Sequence, residues 1–271
     1  MKNVFCFLIF FIFVISCNNP KTNNISEDSV DFVLNDCEVT YKGKPLPMGK
    51  PAEEWIKILG KPSRMLLNST FIWDELGIAI EEDGHANKED PKKVRFLFIF
   101  YSNLDSEAGQ NGELGFAKDR KLAKNLIDGY LNSEFKNELT EELKNEFIND
   151  RKLGARFGMD KYIYPYKTYD KPVSINGAYV VKGISLKEIN KERSAKDLHK
   201  FTFADFNMNM INEQWKTNGD NGEYWEDEKI RECPNQKFVL FNSVRYSDYE
   251  LEFIRVSLHE DDNHTPPIYY N

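Results

Sequence analysis

Apolar and polar residues alternate between Phe32 and Tyr41, the two-residue rhythm of a strand with one buried face. Gly43 to Gly49 then reads as a turn with a short strand. In PAEEWIKILGKP the rhythm changes. Ala52, Trp55, Ile56 and Leu59 recur at i, i+3, i+4 and i+7, one apolar face of a helix. Pro51 suits the first helical position, and Glu53 and Glu54 suit the positive end of the helix dipole. Gly60 serves as a left-handed stop, and Pro62 prevents resumption. FIWDELGIAIEE predicts a hairpin, with Phe71–Trp73 and Ile78–Ile80 joined by a four-residue turn ending in Gly77. VRFLFIFY has no polar face beyond Arg95, as expected of a central strand covered on both sides.

From Asp105 the pattern is helical. Leu122, Leu126, Ile127 and Tyr130 share one face. In NSEFKNELTEELKNEFI, Phe135, Leu139, Leu143 and Phe147 form a narrow apolar stripe on an otherwise charged helix. That stripe either packs on the sheet of its own chain or binds a partner. KYIYPYKTYDKP, with four tyrosines and two prolines, reads as an extended connector. VSINGAYVVKGISLKEIN resumes β structure, and Ser185 with Glu188 forms a capping box at a short helix.

The chain resembles itself. Without a gap, GKPLPMGKPAEEWI from Gly43 overlies GAYVVKGISLKEIN from Gly177. Gly49 meets Gly183, Glu54 meets Glu188 and Trp55 meets Ile189. Each stretch reads strand, glycine turn, strand, glycine, helix, and each region closes on an aromatic strand. In the second of these, YELEFIRVSL, the apolar positions change parity, which predicts a β-bulge near Phe253. The expected class is α+β, with two related antiparallel-sheet-plus-helix units and a helical insertion between them.

The first 30 residues follow another logic. Val4 to Ile15 is an apolar run of 12 after Lys2. A membrane-spanning helix needs about 20 such residues, so the run reads as the core of a secretory signal. Val14-Ile15-Ser16-Cys17 looks like the lipobox of bacterial lipoproteins. That resemblance implies cleavage before Cys17 and its acylation, which would anchor the chain to a membrane. Residues 18–29 are polar and aperiodic, the composition of a tether. The expected organisation is a signal at 1–16, a lipidated tether at 17–30, a first unit at 31–104, an insertion at 105–160 and a second unit at 161–271. The expected location is the cell envelope, at the outer membrane facing the periplasm.

Composition narrows function by exclusion. The chain carries 36 Lys and Arg against 44 Asp and Glu; loss of residues 1–16 removes only Lys2, leaving a net charge of −9. An acidic chain with scattered lysines has no electrostatic footprint for nucleic acid. Beyond Cys6 and Cys17 the cysteines are Cys37 and Cys233. An oxidising compartment permits a bridge between them, although two unpaired thiols fit the spacing as well. No nucleophile elbow, P-loop or dinucleotide fingerprint occurs. His85, His199, His259 and His264 have no zinc spacing. The segment from His259 to His264 reads as a solvated tail. NGDNGEYWEDE fails the calcium-loop pattern at Gly222 and reads as a hairpin loop. No enzymatic activity, metal or cofactor is expected.

The stretch Gly49…Trp55…Leu59-Gly60-Lys61-Pro62 resembles the signature of small SmpA/BamE-type outer-membrane lipoproteins. With Trp73-Asp74-Glu75-Leu76-Gly77-Ile78 it also resembles an uncharacterised bacterial lipoprotein family. Those proteins, like the similarly built β-lactamase-inhibitor proteins, use short helices and a sheet for protein contact. The resemblance covers about residues 40–100 and implies an interaction module with an envelope protein partner. Candidate contact residues are Trp73, Asp74, Glu75 and Leu76 at the hairpin tip, the Phe135–Phe147 stripe, the aromatic connector, and Trp215 with Tyr224 and Trp225. The alternatives are an inhibitor or immunity-type protein against a toxin or hydrolase, and a carbohydrate-binding or hydrolytic envelope protein.

Overall fold

The computed structural model describes residues 29–83, 91–117, 122–145, 162–204, 210–211, 222–226, 233 and 238–260. Two sheets organise them. The smaller contains β1 (Phe32–Leu34), β2 (Val39–Tyr41), β3 (Lys44–Pro45), β8 (Val173–Ile175) and β9 (Ala178–Val180), in the order β3-β2-β1-β8-β9. The larger draws on both halves of the chain. The first half supplies β4 (Arg64–Leu66), β5 (Thr70–Trp73), β6 (Ile78–Asp83) and β7 (Lys93–Phe100). The second supplies β10 (Phe201–Ala204), β11 (Met210–Ile211), β12 (Gly222–Glu226), β13 (Phe238–Ser247) and β14 (Glu250–Glu260). Its order is β11-β10-β12-β13-β14-β7-β6-β5-β4. Every pairing is antiparallel except β1 with β8. The class is α+β.

The two related units are legible in this order. The shift that carries Gly43 onto Gly177 also carries β2 onto β8. It carries Gly49 onto Gly183, and the start of α1 (Ala52–Leu59) onto the start of a second helix at Leu186–Ala195. Lys42-Gly43 and Asn176-Gly177 are equivalent hairpin turns with both residues at positive φ. From the helices onward, each unit contributes a run of strands that begins near one edge of the large sheet and ends at its centre. The two runs meet where β7 pairs with β14. Since β2 is antiparallel to β1 and β8 is parallel to it, β2 and β8 also run in opposite directions. Opposed directions in both sheets are what a two-fold relation between the units requires. Stretches 31–104 and 161–271 therefore share both sheets.

Burial explains the layers. On one face of the large sheet, Val94, Leu97 and Ile99 of β7 join a core with Phe32, Val173 and Trp55. On the other, Phe98, Phe100 and Phe253 pack under Leu104, Leu114 and Tyr164. β7 is covered on both sides, as its uninterrupted apolar run requires. α1 buries Ala52 and Trp55. Pro51 is the residue before the helix rather than its first residue, and it offers no side-chain cap; the Ala52 N–H instead donates to Glu82 Oε1 at 2.6 Å. Gly60 has φ +82° but an extended ψ, so it ends the helix without the left-handed geometry expected of it.

The insertion departs further from expectation. α2 (Glu107–Asn111) and α3 (Leu122–Leu131) form, but NSEFKNELTEELKNEFI is not one helix. A 3₁₀ turn at Glu134–Glu138 ends at Leu139, and a separate helical turn occupies 141–145. The physical reason is local capping. Ser133 accepts from the Phe135 N–H and Thr140 Oγ1 from the Leu143 N–H, so each hydroxyl starts its own turn. The helix at Leu186–Ala195, α4 below, carries the full capping box of Ser185 and Glu188. Among the described residues no helix is long and apolar enough to cross a membrane.

Candidate functional site

The hairpin tip and the connector, separate in sequence, are one structure. Asp74 is buried, and Arg64 Nε lies 3.1 Å from its Oδ2. Arg64 also donates to the carbonyls of Tyr162 (2.8 Å) and Tyr164 (2.6 Å). The Tyr166 N–H donates to Asp74 Oδ1 at 3.1 Å, and the Lys167 N–H to the Asp74 carbonyl at 3.0 Å. Farther on, the Tyr169 N–H donates to the Phe100 carbonyl at 2.7 Å. Residues 162–170 thus form a strap bonded along its length to β4, to the hairpin turn and to the end of β7. The strap passes so close to Gly77 that a Cβ there would lie 2.3 Å from Tyr169 N.

A bulge holds the strap's other partner. Arg245 faces Phe253 but Tyr246 faces Leu251, which leaves Glu252 as the extra residue of β14. Its carboxylate is fully buried and accepts from Tyr164 Oη (2.6 Å), Arg245 Nε (3.0 Å), the Gly115 N–H (3.2 Å) and Ser247 Oγ. Burial, reinforced by the Glu252 charge, pushes the Tyr164 hydroxyl well above its usual range. Burial works against the Arg245 charge, yet Glu252 wins and holds that guanidinium above its ordinary value. A carboxylate whose acceptor sites are filled from within the chain ties segments together. It joins the strap, the 102–117 segment and the sheet.

A second buried pair lies in the main core. Arg193 of α4 meets Glu226 of β12, both almost fully buried. Glu226 also accepts from Asn176 (3.0 Å) and Asn242 (2.9 Å), while the Phe201 ring stacks 4.5 Å from the guanidinium. Nearby, Cys37 and Cys233 are joined in a disulfide with Cα atoms 5.4 Å apart.

These contacts relocate several residues expected at a surface. Trp73 is a core residue whose Nε1 donates to the Gly60 carbonyl at 2.9 Å, because the turn folds back over α1's end. Asp74 is buried by the strap, Glu75 pairs with Lys167 while remaining exposed, and Leu76 is half-buried. Trp225 is buried with Arg255 stacked 4.7 Å away, and Tyr224 is in the core. Of the insertion's stripe, Leu139 is buried, Leu143 half-buried and Phe135 exposed. Leu131 beside it is exposed as well. His259 belongs to β14 rather than to a tail. Burial, then the charges of Arg255 and Arg95, lower its pKa to about 4. Residues 222–226 of the presumed loop are strand β12. Cys17, Phe147, Trp215 and His264 lie outside the described residues.

Between the strap and the start of α2 lies an open cleft of about 480 Å³. Asn103, Asp105, Tyr166, Thr168, Asp170 and Lys182 contribute to its walls. Sequence reasoning missed it. Its residues come from three separated segments, and none belongs to a motif. Among the described residues no group of three or more His, Cys, Asp or Glu is gathered to hold a metal.

A family model described as a domain of unknown function, DUF7738, matches residues 31–190. No curated protein and no solved structure matches the chain. The matched stretch exceeds half of the chain, which therefore belongs to the DUF7738 family.

Proposed function

We propose that this member of the family is a lipid-anchored cell-envelope protein that acts as a non-catalytic interaction module. Cys17 carries the lipid, and the folded part faces the periplasm from the outer membrane. The insertion makes the contact with a partner protein. The observation that carries this reading is the exposure of Leu131 and Phe135, about half of each being open to solvent. They stand beside Glu134, Glu138, Glu141 and Glu142, all exposed. With Lys136 the one exposed lysine among these four glutamates at 131–142, large apolar side chains amid an acidic excess suit a partner with an apolar groove and a basic rim. The Cys37–Cys233 bridge is in keeping with an oxidising compartment. The two buried carboxylates Glu226 and Glu252 are occupied by internal bonds, which favours a scaffold over acid–base work.

The test is crosslinking in living cells with the wild type, Phe135→Glu and Leu131→Glu, followed by identification of the envelope proteins recovered. One stoichiometric partner lost with either substitution supports the reading. Recovery unchanged by both, or none under conditions that capture a control complex, overturns it. Acyl labelling that persists in Cys17→Ser would overturn the anchor.

A further inference from the structure

We propose that β4 is a self-association edge, at which a second copy of this chain lays its own β4 antiparallel and continues the large sheet. Among the described residues β4 pairs only with β5, so its other side is an edge of that sheet. The edges of the small sheet are blocked. β3 is Lys44-Pro45, a charge beside a residue with no N–H. At β9 the Tyr179 N–H is already taken by Glu192 of α4 at 3.0 Å. β4 has neither device. Between Pro62 and Trp73 the sole charged residue in the sequence is Arg64. Its guanidinium is turned onto Asp74, at 3.1 Å, and onto the carbonyls of the strap. The edge is thus locally neutral within an acidic chain, and two copies meet there without like-charge repulsion.

The side chains fit a like partner. Ser63, Met65 and Leu67 alternate along this edge and all are exposed, Met65 by 49% and Leu67 by 94%. Leu67 also has φ +49°, a left-handed conformation disfavoured for leucine, and with Asn68 at φ +59° it turns the chain into β5. A strained aliphatic residue almost wholly in water gains little burial within its own chain and much from a neighbour laid along it. An antiparallel pairing centred on Met65 is its own complement, the same patch serving both copies. Met65 then faces the second copy's Met65, and each Leu67 lies opposite a small residue, Ser63. The strand is short, so the contact belongs with weak, transient interfaces rather than obligate ones. It is separate from Leu131 and Phe135 and depends neither on their role nor on the anchor.

The experiment is disulfide trapping of the full chain in living cells with copper phenanthroline, read as dimer on non-reducing gels. Met65→Cys should give dimer, and Lys44→Cys, on the β3 edge, should give none above the wild type. Ser63→Cys and Leu67→Cys should crosslink when expressed together but not when expressed alone, which reports the antiparallel register. The purified full chain, in mild detergent, should sediment as a concentration-dependent monomer and dimer. Leu67→Asn keeps the fold, because asparagine accepts a positive φ more readily than leucine. It should raise the dimer dissociation constant about tenfold, the effect of one partly buried leucine. Phe135→Glu should leave both readouts unchanged. The proposal is overturned if Met65→Cys forms no dimer, if Lys44→Cys forms it equally, or if the trapped product holds a different protein. A purified chain that stays monomeric, or a dimer lost in Phe135→Glu, overturns it as well.

Discussion

Tyr164 donates a 2.6 Å hydrogen bond to Glu252 across 88 residues of chain, and through it the strap is fastened to the bulge of β14. The same hydroxyl accepts from the Phe116 N–H at 2.8 Å. Tyr164→Phe removes both contacts and leaves the Phe116 N–H and the buried Glu252 carboxylate each short of a partner. A loss of about 1–3 kcal/mol is expected in chemical denaturation. A loss below a few tenths would show that the strap is held elsewhere.

The pair Arg193–Glu226 predicts an asymmetry. Removing one partner, as in Arg193→Met, strands a buried charge and should cost about 3–5 kcal/mol. The double variant Arg193→Met with Glu226→Met should recover much of that loss. A double variant as unstable as the sum of the two singles would mean that the partners act independently.

Backbone conformation and space separate two glycines. Gly43 and Gly77 both have positive φ, but a Cβ at Gly43 meets nothing within 4 Å. Gly43→Ala should cost about 1 kcal/mol, from conformation alone. Gly77→Ala should cost several times more, since the strap must move. Equal melting temperatures for the two variants would place the strap farther from the hairpin.

The disulfide spans 196 residues. Cross-linking so long a loop restricts the unfolded chain by an amount worth up to about 5 kcal/mol. Cys37→Ser with Cys233→Ser should lower stability accordingly, and a reductant should destabilise the wild type but not that variant.

His259 makes stability depend on pH. Its pKa is lowered to about 4 in the folded chain, so below pH 6.5 the unfolded state binds the proton more readily. Stability should therefore fall as pH drops from about 6.5 to 4, by at most about 3 kcal/mol from this group. Glu81, whose pKa burial raises, opposes the trend. The comparison is thus wild type against His259→Asn, in which the Glu81 contribution cancels. Parallel stability–pH curves for the two would refute the assignment.

Much of the chemistry that acts over a few residues was readable. The α1 face, the hairpin ending in Gly77, the double-covered β7 and the Ser185 capping box follow from periodicity and capping. The repeat was readable too, because a turn with two residues at positive φ leaves the same glycine in each copy. The broken helix at 133–145 was not, since competing hydroxyl caps are weak against an apparent apolar stripe. Nor was the burial of Trp73 and Trp225. Aromatic residues serve equally as surface anchors and as core, and only their neighbours decide which.

The sequence by itself determined many of the elements, the kinship of the two units and the parity change that places a bulge beside Phe253. Tertiary structure alone decided that both units share both sheets, with β7 against β14. It also decided that the strap closes over the hairpin tip, that Cys37 reaches Cys233, and that three separated segments border an open cleft. The physical reason is range. Periodicity and capping are set by neighbours within a turn or two, whereas strand partners and buried polar contacts are chosen among groups tens to hundreds of residues apart.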